Sequence, residues 1–443
     1  MNKKYYVWTS GCQMNVHDSE KIAGIFAETG YEESEGSNNA DVIVLNTCSI
    51  REKAEQKFYS ELGRLKKIKQ NNPNLKIAVA GCIAQQKGKS LFKRFPYVDF
   101  VFGPNNIDSV QNWIRTSNVE RRTTRDGQRI TALDDNPDYH HKLLPVKREG
   151  QVRAWVSIMY GCDNFCAYCV VPYTRGRERS RPPEDIYREI ELLAEKGYKE
   201  VTLLGQNVNS YGKNLNENID FPGLLKKLHE INGIERIRFV TSHPRDLSEK
   251  LIKAMEGLSK VCEHLHLPLQ SGSDNILQLM NRGYTYGKYK EKIDTLRNAL
   301  PDIAVTTDII AGFPGETEED FDLTIKALRE IKYDGIFSFK YSKRPDTSAL
   351  SLSDHVEEDI KSDRLSRVLS LQEEITYEKN KSLEGLITEI LVEGKSNTDP
   401  EKMTGRTRAN KIVNYFGNDS DTGKLLKVKI LEAKQHSLFG EKV

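Results

Sequence analysis

The sequence predicts an α/β chain in three parts: an N-terminal parallel α/β domain over residues 1–119, a central partial (β/α)6 barrel over 148–378, and a small antiparallel β-barrel over 379–443, with residues 120–147 as a linker. Three observations predict it. Short apolar runs alternate with helix-period segments up to about residue 115. A second series of six βα units starts near Arg153. The last sixty-odd residues switch to two-residue alternation around Gly and Asn turns.

Taken in order, "YYVW" reads as a strand, and Asp18 to Thr29 as a helix with Ile22, Ile25 and Phe26 on one face. "DVIVLN" reads as the next strand, followed by a helix from Arg51 to Gln70 with Phe58, Leu62 and Leu65 at helical spacing. "KIAVAG" and "VDFVFG" complete the first sheet. Glu120 to Lys147 holds "DGQ" and "DDNPD" with few apolar residues, a loop composition. The second series offers the strands "AWVSIM", "EVTLLG", "RIRFVTS", "EHLHLPL", "IAVTTDIIAGF" and "GIFSFKY", with helices such as Glu184 to Lys196 and Glu318 to Ile331 between them. Six units are too few for a closed eight-unit barrel, which takes about 250 residues. A charged helix from about Val356 to Ser382 ends this domain. "ITEILVEGK", "KMTGRTRANKIVNYFG" and "LLKVKILEAKQHSLFGEKV" then read as a small barrel of the kind that binds oligonucleotides.

Lys plus Arg number 66 against 64 Asp plus Glu, so net charge gives no whole-chain signal for nucleic acid and any such site must be a local patch. No apolar stretch approaches 18 residues, so no membrane span is expected. "MNKKYYVWTSGC" does not read as a secretory signal, and seven cysteines is an odd number. Together these point to a reducing compartment, the cytoplasm, where cysteines bind metal or stay free.

Six of the seven cysteines form two trios. Cys162, Cys166 and Cys169 lie at spacing C-x3-C-x2-C just after the first barrel strand, at the face where such folds gather catalytic groups. Zinc would need a fourth ligand, from His140, His141, His243, His264 or His266. Buried free thiols give no reason for the spacing. An iron–sulfur cluster with one open iron fits best. Cys12, Cys48 and Cys82 each lie just past a predicted strand, 36 and 34 residues apart, in phase with the βα repeat. Neighbouring parallel strands would bring them to one sheet edge, where open α/β sheets hold ligands. A core role suits one such cysteine better than three. Cys262 stands alone in a strand and is expected in the core.

C-x3-C-x2-C at the first strand of a six-unit barrel resembles the radical S-adenosylmethionine (SAM) superfamily, in which the open iron binds the amino and carboxylate groups of SAM. The wider motif set resembles the methylthiotransferases: "GCQMNVHDSE", "LNTCSIREKAEQK", "VAGCIAQ", "GCDNFCAYCVVPYTRGRERSR", "LLGQNVNSYG", "FVTSHPRD", "LPLQSGSD" and "DIIAGFPGETEEDF". Within them it is most similar to the branch acting on N(6)-dimethylallyladenosine of tRNA. Relatives acting on threonylcarbamoyladenosine usually read GCKxN, and those acting on a ribosomal-protein aspartate read more like GCPKN. "TGRTRANKIVNYFG" resembles a TRAM domain.

The resemblance implies a transferase with two 4Fe-4S clusters, one on each trio, and SAM as both methyl donor and radical source. The loop cluster would deliver one electron to SAM, giving methionine and a 5′-deoxyadenosyl radical. The other would carry an extra sulfur that a second SAM methylates. The radical would take hydrogen from carbon 2 of the adenosine beside the anticodon, where the methylthio group is then attached. The clusters and SAM carry this chemistry, so no side chain is expected to be catalytic. Tyr168 is the expected partner of the SAM adenine, and Gln206 and Asn207 of its methionine amino group. Ser242, Gln270 and Asp308, at later strand ends, are further SAM candidates. The alternatives are core packing for Tyr168 and a plain loop role for Gln206 and Asn207, while Ser242, Gln270 and Asp308 could equally have no part in binding SAM. "GFPGET" is glycine-rich without a phosphate-loop spacing and counts for little alone.

Arg175, Arg177, Arg179 and Arg181 alternate and would share one side of an extended segment, suited to RNA phosphates or to a carboxylate, with a solvated basic loop as the plain alternative. From Lys142 to Arg181 eight Lys plus Arg stand against three acidic residues. Arg406, Arg408 and Lys411 are expected as a second RNA contact, with Tyr415 and Phe416 as stacking partners or barrel core. The partners implied are a tRNA anticodon stem-loop, a one-electron reductant such as flavodoxin or ferredoxin, and a sulfur or cluster donor; a monomer is expected. The other readings are the same chemistry on threonylcarbamoyladenosine or a ribosomal-protein aspartate, or an iron–sulfur RNA-binding protein without catalysis.

Overall fold

The computed structural model describes residues 2–49, 52–119, 129–134, 144–148 and 150–443. The chain divides into two compact bodies, one of Met1–Glu149, Met159–Asp163 and Cys169–Arg181, the other of Gly150–Ile158, Asn164–Tyr168 and Pro182–Val443. The first is built on β1 (Lys4–Ser10), β2 (Glu32–Glu33), β3 (Val42–Thr47), β4 (Lys76–Ala80), β5 (Phe100–Phe102) and β6 (Ile130–Ala132), in sheet order β2-β1-β3-β4-β5-β6. Every pairing in it is parallel. Strand β3 is buried at all six positions, as a central parallel strand covered on both faces must be. The helices are α1 (Gln13–Glu28), α2 (Glu52–Asn71), α3 (Cys82–Lys87), α4 (Ser90–Arg94) and α5 (Ser109–Val119). Phe58, Leu62 and Leu65 of α2 pack on Ile43, Leu45, Ile77 and Val79, as their spacing predicts. The expected linker is not wholly a linker: β6 falls inside it and pairs with β5, Phe100 opposite Ile130.

The second body opens with β7 (Arg153–Ser157). The short β8 (Met159–Tyr160), α6 (Val171–Thr174) and β9 (Arg179–Ser180) belong to the first body, where β8 and β9 pair antiparallel. In the second body, α7 (Pro183–Glu195), β10 (Glu200–Leu204), α8 (Phe221–His229), β11 (Arg236–Phe239), α9 (Glu249–Gly257) and β12 (His264–His266) follow. Then come α10 (Asp274–Leu279), α11 (Tyr286–Ala299), β13 (Ala304–Ala311), α12 (Glu318–Ile331), β14 (Gly335–Lys340) and α13 (Glu358–Lys381). The six strands form two parallel sheets, β11-β10-β7 and β12-β13-β14, with a single bridge from Ile237 to Val261 beyond β11. This is the expected open barrel. Helix α7 buries Ile186, Ile190 and Leu193, a helix-period stripe.

Strands β15 (Ile387–Lys395), β16 (Met403–Thr407), β17 (Ile412–Tyr415), β18 (Leu425–Ala433) and β19 (Leu438–Lys442) close a barrel in the order β15-β16-β17-β19-β18. Its core includes Ile390, Val392, Val413, Val428 and Ile430. One pairing, β17 with β19, is parallel. Five strands in a closed ring cannot alternate direction throughout, so a purely antiparallel barrel is excluded by the odd number. Among the described residues, no helix is long and apolar enough to cross a membrane.

Candidate metal centres

Strands β1, β3 and β4 are neighbours, and Cys12, Cys48 and Cys82 follow their C-terminal ends. Cys12 caps α1 and Cys82 is the first residue of α3, positions where backbone N–H groups favour a thiolate. Cys48 lies between the other two, within hydrogen-bonding reach of Cys12 and of Cys82. Hydrogen bonding with Cys48, and next the Arg175 guanidinium, draw Cys12 down to about 6 and Cys82 to about 7 against the opposing effect of burial. Cys48 itself is pushed up.

The surroundings fit a further polar group here. Gly81 has φ +85°, and a Cβ on it would clash with Asn46 Oδ1, so glycine is what the turn into Cys82 accepts. The Thr47 and Ser49 hydroxyls, flanking Cys48, are buried without hydrogen-bond partners. Among the described residues no three His, Cys, Asp or Glu side chains are gathered as a site for one metal ion. A four-iron cluster does not require that, because each thiolate binds a separate iron corner.

In the loop trio, Cys162 and Cys166 are buried and Cys169 is half-buried. The Cys162 N–H donates to Gly176 O at 3.2 Å. Gly161 before it has φ +71°, and a Cβ there would clash with Arg177 O. The Cys166 sulfur accepts a hydrogen bond from Arg282 Nη1 at 3.2 Å. The described histidines suggested as a fourth ligand sit in different settings. Burial, and next Arg282, holds His243 down at about 2, and its Nδ1 accepts from the Arg245 N–H. Burial holds His264 at about 3. His266 pairs with Thr306 and lies 3.4 Å from Asp308. His140 and His141 lie outside the described residues.

Gln206, Asn207, Ser242 and Gln270 fall just past the C-terminal ends of barrel strands, whereas Asp308 lies inside β13 rather than at its end as expected, and Tyr168 lies in the cysteine loop. Past β10 and β11, the side-chain oxygens Gln206 Oε1, Asn207 Oδ1 and Ser242 Oγ are buried without partners, as are His243 Nε2 and the Asn209 amide. Asn207 Nδ2 is fixed by Asp246 at 2.7 Å. Such a group of orphaned polar atoms fits a polar ligand. Thr241 (φ +70°) and Gln270 (φ +76°) are held in the left-handed region, a strain typical of functional loops. The Gln270 N–H donates to Asp308 O at 2.8 Å. The Tyr168 ring meets Phe313 edge-on, and its hydroxyl lies 3.3 Å from Arg282 Nη1. Asn209, His243, Asp246 and Arg282 were not singled out for this role from the sequence; nothing in their local patterns marks them.

The basic residues fall differently from expectation. Arg175 and Arg181 are buried and Arg177 is exposed, so the four alternating arginines do not share one solvent side. Arg175 is tied down by Asp18 at 2.8 Å, and Arg177 pairs with Asp163 at the surface. In the small barrel, Arg408 pairs with Glu263 at 2.6 Å, Arg406 with Glu393 at 2.8 Å and Lys411 with Asp334 at 3.7 Å. Two of these acids, Glu263 and Asp334, come from the (β/α)6 part, so Arg408 and Lys411 join the two parts rather than lie free for RNA. Tyr415 is core, whereas Phe416 is 64% exposed, with Lys402 over its ring. Cys262 is buried, its thiol pushed up to about 11 by that burial.

Residues 156–328 match the radical SAM superfamily, 381–443 the TRAM domain, and 4–103 a family described only as uncharacterized, UPF0004. The chain is 54% identical over 437 residues, 98% of either chain, to tRNA-2-methylthio-N(6)-dimethylallyladenosine synthase of Thermodesulfovibrio yellowstonii. To the enzyme of that name from Carboxydothermus hydrogenoformans it is 50% identical over 440 residues, 99% of either chain. Among solved structures, the radical SAM methyltransferase TsrM of Kitasatospora setae superposes with a TM-score of 0.57 at 14% identity, covering 79% of this chain and 77% of that one. The cobalamin-dependent SAM radical enzyme OxsB gives 0.54 at 12% identity over 84% and 56%. At these identities the two structures speak for the fold alone. Half its residues are shared with the curated relatives from end to end, and the chain therefore belongs to the tRNA-2-methylthio-N(6)-dimethylallyladenosine synthase family of radical SAM methylthiotransferases.

Proposed function

We propose that the protein methylthiolates carbon 2 of N(6)-dimethylallyladenosine at the tRNA position next to the anticodon, with two 4Fe-4S clusters and with SAM as both methyl donor and radical source. The observation that carries the two-cluster reading is the meeting of Cys12, Cys48 and Cys82 at three adjacent strand ends, in a chain that also has the loop trio. A cluster with bound SAM supplies the radical chemistry that an aromatic C–H, having no acidic proton, demands. The chain's own residues bind and orient. Cys162, Cys166 and Cys169 would hold one cluster and leave an iron open for SAM. Gln206, Asn207 and Ser242 would hold the amino-acid end of SAM through their orphaned oxygens, with Tyr168, Gln270 and Asp308 as further contacts. Cys12, Cys48 and Cys82 would hold the second cluster. On the RNA side, Arg177, Arg179 and the exposed Phe416 are the contacts proposed. A surface pair such as Arg177 with Asp163 is weak enough for a phosphate to displace the carboxylate.

Turnover calls for a one-electron donor such as flavodoxin or ferredoxin and for a sulfur donor. A monomer in the cytoplasm is the setting proposed. Total tRNA from cells lacking the gene, digested and analysed by mass spectrometry, should accumulate dimethylallyladenosine without its methylthio form. If that nucleoside is unchanged and threonylcarbamoyladenosine has lost its methylthio group instead, the chemistry stands and the target is wrong. Anaerobic reconstitution should give about eight irons per chain, and about four after triple Ala substitution of either trio.

A further inference from the structure

Each cysteine trio has one fully buried arginine against a sulfur, and the two differ in counter-charge. Arg282 donates to Cys166 Sγ at 3.2 Å, Tyr168 Oη at 3.3 Å, Tyr284 Oη at 3.0 Å and Pro268 O at 3.0 Å. None of these partners is a carboxylate. A guanidinium held away from water is costly without an anion beside it, and the one group among its partners that becomes anionic on binding metal is the Cys166 thiolate. Arg175 lies beside Cys82, but its Nη2 donates to Asp18 Oδ2 at 2.8 Å, both side chains being nearly inaccessible. Its charge is already offset.

We infer that this asymmetry steers the electron: Arg282 favours reduction of the cluster on the loop trio, whereas Asp18 cancels Arg175 and leaves the strand-edge cluster harder to reduce. The inference rests on the two-cluster reading above. In the step concerned, one electron leaves a one-electron donor protein, which is oxidised, and enters the loop cluster, which is reduced; no bond or proton changes place. The negative charge gained is stabilised by the adjacent guanidinium in low dielectric. Arg282 acts through Cys166 and is in that sense a positioning residue.

The test is an anaerobic redox titration followed by electron paramagnetic resonance, on triple Ala variants of one trio that leave the other cluster alone in the chain. The loop cluster should be reduced at the higher potential. Adding Arg282→Met should lower the ratio of reduced to oxidised loop cluster at fixed potential at least tenfold, about 59 mV for a one-electron couple. Arg282→Lys, which keeps the charge, should restore most of it. Asp18→Asn, which unmasks Arg175, should raise the ratio for the strand-edge cluster. An unchanged titration in Arg282→Met with about four irons retained overturns the inference, and so does the reverse order of potentials. If Arg282→Met holds no iron, Asp18→Asn decides: no upward shift overturns it. A wild-type count near four irons overturns the two-cluster reading and this inference with it, whereas a count near eight with unshifted potentials overturns this inference alone.

Discussion

Glu316 is a carboxyl taken out of water at the end of the "GFPGET" turn. It accepts from the Gly312 N–H at 2.7 Å and from Arg364 Nη1 at 2.8 Å, yet burial outweighs both and pushes it up to about 7. Its folded value therefore lies above the unfolded one. The stability it contributes is present in full below the ordinary Glu range and is lost as pH rises to about 7. Glu316→Gln should remove this dependence: between pH 5 and 8 the wild type should lose on the order of 3 kcal/mol that the variant keeps, read from thermal melts at both pH values. The "GFPGET" turn, which lacks a phosphate-loop spacing, closes on its own carboxylate through the Gly312 N–H. Gly161 is a second position where geometry decides. Gly161→Ala would set a Cβ against the Arg177 carbonyl in a left-handed conformation, and should lower the melting temperature by an amount corresponding to about 2 kcal/mol or more. At this scale the cysteines were legible because their spacing is itself the signal. The arginines beside them were not, since Arg175 and Asp18 are 157 residues apart and Arg282 and Cys166 are 116 apart.

Strand β11 does more than line the (β/α)6 sheet. Arg236 and Arg238 sit at alternate positions and face the small barrel. Arg236 Nη1 donates to Arg406 O at 2.6 Å, and Arg238 donates to Arg408 O and Thr407 O at 2.7 Å and to Glu200 at 2.9 Å. Arg238→Met would leave a buried carboxylate and two carbonyls without their donor, and should cost on the order of 3 kcal/mol, with faster proteolysis around residues 382–387 as the marker of a loosened small barrel. The free side of that barrel behaves otherwise. Phe416→Ala should weaken binding of an anticodon stem-loop by about tenfold or more in a filter or fluorescence titration, the value of one lost stacking contact, and leave the melting temperature nearly unchanged. Sequence alternation predicted these strands but not which face meets protein, because Arg and Lys serve a protein carbonyl as readily as a phosphate. Strand β6 escaped for a simpler reason: three residues at a sheet edge are too few to show a period of two.

For the whole molecule, periodicity was enough to assign three architectures, since each has its own repeat: βα units twice over, then two-residue alternation. What periodicity could not carry was the path of the cysteine loop, whose residues 159–163 and 169–181 join the first body while 164–168 join the second. Nor could it show the parallel pairing of β17 with β19, which follows from closing an odd ring. That closure has a consequence for biosynthesis. Strand β19 is inserted between β17 and β18, so during translation both edges stay unpaired until Leu438–Lys442 is made. The first body is complete once Arg181 has been added, about 260 residues earlier. At 5–20 residues per second that is a head start on the order of tens of seconds. Cys12, Cys48, Cys82, Asp18 and Arg175 can thus be assembled on the ribosome while the small barrel is still an open sheet.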